Sequence, residues 1–416
     1  MFAGFSQNNN DNGSGDQYLD SRLAAWFCTA MIAFSAGICC MFGILSNPLQ
    51  DEFGWSRAAT AGVFLIFLLV ALLVVPMVLW AINKFGPRMM MLVFGIIIGL
   101  GLLLTSLSES TWQVYFNYSF LLGIGVGGTF SAAILILSKW FNRRQSMFLM
   151  IIGIGLGLIV VSPVCGWLVC SYDWKDACLI LGIIAWLITI QPALFLKQPL
   201  REESIDKSIY TRTAVSSRNF QMIIFLLLFL SFSFHMITVN LIPHTVEAGI
   251  SIRTASLLLS ILGGVAVISA AITASMNNTA DRKTLSIIFA LIGAIAMFWV
   301  IEADAVWRFS VFAILFAPVI GGTLLYAFIN TPEMWTGPEA KMRVLIVAMV
   351  WVIGGGGGAY LGAFLFDELG DYRFPFFLGA FAVIFVAALV WNLQVPEEEA
   401  AEPLAGATDD GTYSEL

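Results

Sequence analysis

Apolar residues in this chain fall into long blocks, each closed off by a short cluster of charged and turn-forming residues. Twelve such blocks cover approximately residues 24–46, 58–82, 89–108, 112–138, 146–170, 176–196, 219–246, 254–278, 284–302, 306–331, 343–366 and 373–394. A helix needs about 20 apolar residues to cross the hydrocarbon core of a bilayer, and every block is near or above that length. The pattern predicts an all-α polytopic membrane protein with twelve transmembrane helices. The one long polar stretch inside the chain, 197–218, divides it into six helices and six. The expected organisation is a disordered N-terminal tail (1–20), a six-helix bundle (21–196), a cytoplasmic linker (197–218), a second six-helix bundle (219–395) and an acidic disordered tail (396–416).

The two halves resemble each other. "DEFGWSRAATAGVFLIF" from Asp51 is answered by "VEAGISIRTASLLLSIL" from Val246, "YDWKDACLILG" from Tyr172 by "GDYRFPFFLG" from Gly370, and "NKFGPR" from Asn83 by "DRKTLS" from Asp281. The offset stays between 195 and 198 residues through all three pairs. Parallel repeats of this kind place a substrate site where the halves meet, near the bilayer midplane.

Composition sharpens the class. The chain is 59% apolar and 11% charged, against about 45–50% and about 25% for soluble domains. No basic face exists to bind nucleic acid. The first 20 residues lack the basic and apolar regions of a cleavable signal peptide. None of the six cysteines forms a CxxC pair, and most lie in apolar blocks, where cysteine acts as a small hydrophobe. "GIGVGG" (Gly123–Gly128) matches a dinucleotide fingerprint, but it sits in lipid-length helix with no strand before it. Gly153, Gly157 and the run Gly354–Gly358 let helix backbones approach closely. The run also admits a hinge or an unwound segment. No phosphate loop, HExxH or nucleophile elbow appears, so neither an enzyme nor a cofactor is expected.

Basic residues collect on the cytoplasmic side of membrane proteins. With both termini inside, Arg57, Lys175, Arg253, Arg308 and Arg373 fall outside, and the other fifteen of the twenty lysines and arginines fall inside. The expected setting is a multi-pass protein of the cell (inner or plasma) membrane, a monomer surrounded by lipid.

The stretches "FGILSNPLQDEFGWSRAA", "KFGPR", "KWFNRRQ", "DWKDACLILG", "LIPHTVEAGIS" and "ADRK" together resemble the major facilitator superfamily. Within it they resemble the branch of monocarboxylate transporters and oxalate–formate antiporters. The resemblance spans roughly residues 20–395. It implies alternating access by two rocking bundles and a small carboxylate as cargo, coupled to protons or exchanged for an anion. It also implies gating-loop roles for Asn83, Lys84, Gly86 and Arg88, and for Asp281 and Arg282 in the second half. Leu79 and Asn83 stand where the superfamily's first loop motif carries a glycine and an aspartate, and within the spans the chain departs from the branch at three points. Where relatives carry an arginine in the eighth span, Thr273 or Ala270 stands; the eleventh span lacks the lysine of oxalate-type relatives; Asn240 replaces a histidine in the seventh.

No Asp, Glu, Lys or Arg lies near the centre of any span, where charge usually marks function. His235 is the sole titratable side chain near mid-depth. It is read either as a substrate partner or proton carrier, or as a neutral histidine satisfied by a neighbouring helix. His244 falls on the opposite face, so the two form no metal pair. In this superfamily the first, fourth, seventh and tenth spans line the cavity. That makes Ser35, Asn117, Tyr118, Thr129, Asn240, Thr323 and Tyr326 substrate-binding candidates beside His235, with Thr273 at the vacated arginine position. The alternative for each is ordinary interhelical hydrogen bonding. Three functions stay open: a carboxylate carrier, a carrier of an uncharged or amphipathic solute, and a non-transporting receptor or assembly protein on a carrier scaffold.

Overall fold

The computed structural model describes residues 14–195, 218–329 and 340–394. Most of the expected linker, the C-terminal tail and the first thirteen residues lie outside that set. Twelve long helices occur among the described residues. They are α1 (Ser14–Phe53), α2 (Arg57–Phe85), α3 (Pro87–Ser106), α4 (Thr111–Trp140), α5 (Arg143–Ser171), α6 (Trp174–Phe195), α7 (Arg218–Glu247), α8 (Ile252–Ser275), α9 (Thr279–Ile301), α10 (Val306–Ile329), α11 (Ala340–Leu369) and α12 (Arg373–Asn392). Eleven of them hold windows long and apolar enough to cross a membrane. The twelfth, α6, runs for 22 residues to the edge of the described chain. Helix α1 starts at Ser14, inside the stretch expected to be a disordered tail. Once a helix is nucleated each added residue costs little, so it extends past the apolar block that anchors it.

Local sequence explains the helix ends. Gly54 and Gly249 hold φ of 64° and 81°, a left-handed turn that glycine enters without a Cβ penalty. Two residues later Ser56 and Ser251 cap α2 and α8, accepting from Ala59 N and Thr254 N. Both devices recur at the repeat offset read from the sequence. Asn142 and Gln145 form a capping box on α5, and Asn278 caps α9 by accepting from Ala280 N. Asn278 therefore serves the backbone.

Packing repeats in the same way. Helix α1 lies on α4 and α5, α3 on α4 and α6, and α2 on α4; six helices on, α7 lies on α11, α9 on α10 and α12, and α8 on α10. Across the halves α5 runs along α8 and α2 along α11, with α1 meeting α7 between them. Small residues make the α5–α8 seam. A Cβ on Gly263 would stand 2.5 Å from the Gly155 carbonyl oxygen, and Ser260 Oγ donates to the carbonyls of Leu158 and Ile159.

The glycine run is continuous helix; no hinge or unwound turn interrupts it. A Cβ on Gly354 or Gly358 would collide with the backbone carbonyls of Leu228 and Phe232 on α7, one on Gly355 with the His235 ring, and one on Gly356 with Leu65 of α2. Close packing explains these glycines, because they let α11 touch α7 and α2 together. Outward-facing Leu73, Met77 and Ile295 are largely exposed, as lipid-facing positions must be. Helices α4 and α10 each contain a π-helical segment, Tyr115–Leu122 and Val319–Thr323. Wider turns of this kind concentrate at functional positions, and here they fall in repeat-equivalent helices.

Candidate functional site

Between the halves lies a belt of rings. Tyr118 of α4 meets Phe42 of α1 at 5.3 Å between centroids and Phe67 of α2 at 5.8 Å. Phe64 of α2 meets Phe42, Phe67 and, at 5.8 Å, His235 of α7. His235 continues to Phe234 and to Trp351 of α11. These separations suit offset and edge-to-face contacts between rings. The belt thus connects a first-half tyrosine to a second-half tryptophan through the only mid-depth histidine.

His235 is 3% exposed. Its Nδ1 lies 3.0 Å from the Ser231 carbonyl oxygen and 3.2 Å from Ser231 Oγ, and that hydroxyl donates to the Trp351 carbonyl at 2.6 Å. A carbonyl can only accept, so Nδ1 carries the hydrogen and Nε2 presents a lone pair. Nε2 meets no hydrogen-bond partner among the described residues. The imidazole therefore offers one acceptor at the junction of the halves, with its orientation set by α7 and α11.

Toward the Arg57 end, Asn240 follows on α7. Its Nδ2 donates to the Met236 and Ala359 carbonyls. It lines a narrow cleft, about 10 Å³ in volume, with Phe42, Ser46, Gln50, Arg57, Thr60 and Tyr372, among others. That is room for about one water molecule, against about 300 Å³ or more for small-molecule pockets, so the cleft is closed to solute in this state.

The cleft is roofed by a clasp between the halves. Arg57, the first residue of α2, pairs with Glu247 at the end of α7 at 2.5 Å and donates to the Tyr372 hydroxyl. Its guanidinium lies 3.6 Å from the centroid of Phe366, a cation–π contact. Asp367 of α11 accepts from the backbone N–H groups of Arg57 and Ala58 at 3.1 and 2.8 Å. A second-half carboxylate thereby caps a first-half helix, where exposed N–H groups and the helix dipole favour negative charge. Arg57 is 16% exposed and Glu247 39%. Burial pushes the Tyr372 phenol above its ordinary range, against the pull of Arg57, so it stays a neutral hydroxyl.

The repeat makes the clasp conspicuous. In the first half Glu52, the counterpart of Glu247, binds Lys175 at 2.6 Å and Trp174 Nε1 at 2.6 Å, all within that half. Arg373 stands where Lys175 stands, yet it turns to Glu302 at 3.2 Å. Glu247 takes its cation from across the interface.

At the opposite end Arg144 of α5 donates to the carbonyls of Ala274 and Met276 at the end of α8. Arg282 binds the carbonyls of Met276 and Asn277 from the other side. Two arginines, one from each half, grip one helix C-terminus, where the dipole favours positive charge. Among the expected gating-loop residues, Arg282 joins this clasp. Gly86 (φ 81°) turns the chain between α2 and α3, Lys84 lies exposed over Trp80 and Phe85, Arg88 is exposed, and Asp281 sits exposed in the first turn of α9. The Asn83 side chain lies outside the described residues.

The other candidates divide cleanly. Asn117 points to α3, donating to the Leu104 carbonyl and Ser108 Oγ. Tyr118, in the belt, donates to the Ile38 carbonyl. Thr273 bonds its own helix at Ser269, and Thr323 bonds the Ser286 carbonyl of α9. Tyr326 is buried. Ser35 and Thr129 are buried with hydroxyls that meet no hydrogen-bond partner among the described residues. Arg57, Glu247, Asp367, Tyr372 and Arg144 were not foreseen as site residues. Their signals in the sequence were the repeat alignments of Glu52 with Glu247 and Trp174 with Tyr372, and the motif stretches that hold Arg57 and Arg144; Asp367 had none.

Twelve long helices, repeated packing and paired clasps across a central belt define a carrier of two related halves. The profile of the Major Facilitator Superfamily matches residues 25–334, and the chain belongs to that superfamily. Among curated proteins it is similar to monocarboxylate transporter 13 of Bos taurus, 25% identical over 376 residues, covering 86% of this chain and 85% of the relative. The rat protein of the same name is 24% identical with the same coverage. Monocarboxylate transporter 12 of Xenopus laevis is 22% identical, covering 82% and 81%.

Proposed function

We propose that this chain is a secondary carrier that moves a small monocarboxylate across the cell membrane by alternating access. Its relatives are named as monocarboxylate transporters. The observation that carries the mechanism is the pair of clasps, Arg57 with Glu247, Asp367 and Tyr372 at one end and Arg144 with the end of α8 at the other. Each joins the two halves through polar contacts that can be remade, and the belt lies between them. The distribution of basic residues puts the Arg57 end outside and both termini inside. In this reading solute reaches the belt when one clasp opens, and His235 Nε2 accepts a hydrogen bond from a hydroxyl or a protonated acid. The driving force is a proton gradient or a counter-anion.

A second reading, an uncharged or amphipathic solute, is favoured by one feature: the belt itself holds no charged side chain. Uptake into vesicles reconstituted with the purified protein separates the two. Saturable lactate uptake that an inward proton gradient accelerates supports the carboxylate. Uptake of lactamide without lactate supports the neutral solute, and uptake of neither across broad panels abandons the carrier reading.

A further inference from the structure

We propose that Arg57 is the cation that recognises the substrate carboxylate, and that Glu247 holds its place on the guanidinium while the site is empty. The inference rests on the monocarboxylate reading above. The spans themselves contain no central cation, but the cleft above Asn240 does have one, because Arg57 reaches into its lining from the first turn of α2. Ser46, Gln50, Thr60 and Asn240 add neutral hydrogen-bonding groups to the same wall. Arginine suits this role because its planar fork binds carboxylates through two parallel hydrogen bonds.

The broken symmetry of the repeat points the same way. A purely structural acid at position 247 could have used Arg373, as Glu52 uses Lys175. The pairing instead joins the cleft's cation to a carboxylate that a substrate carboxylate can replace.

Charge then governs the exchange. Arg57 faces Glu247 on α7, Asp367 on α11 and the Tyr372 hydroxyl before α12. His244, one turn before Glu247, is half-buried against Tyr372, Phe309 and Phe376 with Nε2 at 3.2 Å from the Val300 carbonyl. Helix α1 presents neutral Gln50, and Arg253 of α8 is exposed. An entering anion would set two carboxylates on one guanidinium, with Asp367 on the backbone N–H groups beside it, and like charges at that range favour protonation of one of them. Glu247 is the one that loses its partner. The substrate anion forms the new ion pair with Arg57, the Glu247–Arg57 pair breaks, and one proton from solvent neutralises Glu247. The net charge of the site is unchanged.

The test is binding to the purified wild type, Arg57→Gln and Glu247→Gln, read as ligand-induced thermal stabilisation. The probes are lactate, other monocarboxylates from acetate to benzoate, and the neutral amide lactamide. Lactate stays ionised at about pH 5.5 and about pH 7.5, so both can be compared. Wild type should bind lactate more tightly at the lower pH. Arg57→Gln should weaken lactate by about 10- to 100-fold, the worth of a lost charge-assisted pair, and leave any response to lactamide unchanged. Glu247→Gln should tighten lactate and erase the pH dependence. A role confined to holding the clasp would move lactate and lactamide together. Lactate binding by Arg57→Gln within about threefold of wild type overturns the inference. If Arg57→Gln does not fold, Glu247→Gln decides: unchanged affinity and pH dependence overturns the proposal. Wild type that binds no monocarboxylate overturns the functional reading itself, and this inference with it.

Discussion

Replacing Asp367 by asparagine perturbs the clasp without touching the cleft. Asp367 accepts two backbone N–H groups at the start of α2, at 3.1 and 2.8 Å, from the opposite half of the molecule. Hydrogen bonds to a charged group are worth about 1.5–3 kcal/mol each, and a carboxylate at a helix N-terminus adds about 0.3–1 kcal/mol. Asp367 is exposed, so solvent screening cuts these values, and asparagine keeps one accepting oxygen. The remaining loss is about 1–2 kcal/mol, borne only by the state in which this end is closed. That shifts the balance of closed to open by about 5- to 30-fold. Accessibility of the cleft reports it. Gln50→Cys, in a background with the exposed Cys170 changed to serine, should react with a membrane-impermeant maleimide about 5- to 30-fold faster when Asp367→Asn is added. A change smaller than twofold would mean that the bridge does not hold the halves together.

Further expectations follow from the same contacts. Arg144→Gln should push the balance the other way, slowing labelling of Gln50→Cys, and combining it with Asp367→Asn should return the rate toward the starting value. Gly357 faces open space and Gly358 faces the Phe232 carbonyl. Gly357→Ala should therefore be neutral or stabilising by up to about 1 kcal/mol, and Gly358→Ala destabilising by about 1–3 kcal/mol, compared by thermal unfolding in detergent. Ser231→Ala removes the donor to the Trp351 carbonyl and should cost about 0.6–1.7 kcal/mol. Serine-to-alanine loss of that size in thermal stability, with threonine at the position restoring it, checks the bridge between α7 and α11.

Much of the helical fold was legible because a bilayer imposes it. Apolar blocks of helix length, closed by Gly54, Gly86, Gly249 and Gly370, admit few other arrangements, and apart from α1, which overruns its block at both ends, the described helices lie within about five residues of the expected ends. His235 was legible too, as the one titratable group at mid-depth. The ring belt around it was not, since nothing in the spacing of Phe42, Phe64 and Trp351 says that they meet. The clasp was harder still. The repeat aligns Glu52 with Glu247 and Lys175 with Arg373, and by that symmetry each acid should find its cation at home. Whether Arg373 turns to Glu247 or to Glu302 depends on how the halves dock, which no local pattern encodes. Asn117 misled for a related reason: its polarity suggested a cavity, while the π-helical segment containing it turns it toward Leu104 and Ser108 of the neighbouring chain segment.

Alternation of the two clasps is open to direct measurement. Spin-label pairs report both ends: Trp112 with Trp307 near the Arg57 clasp, and Ser138 with Thr284 near the Arg144 clasp, all exposed positions on opposite halves. Distance distributions in lipid nanodiscs, with and without lactate, should hold two populations whose weights change in opposite senses at the two ends. Asp367→Asn should lengthen the first distance and shorten the second. Distances that stay single and fixed under both changes, or that lengthen together, would mean that the clasps do not alternate.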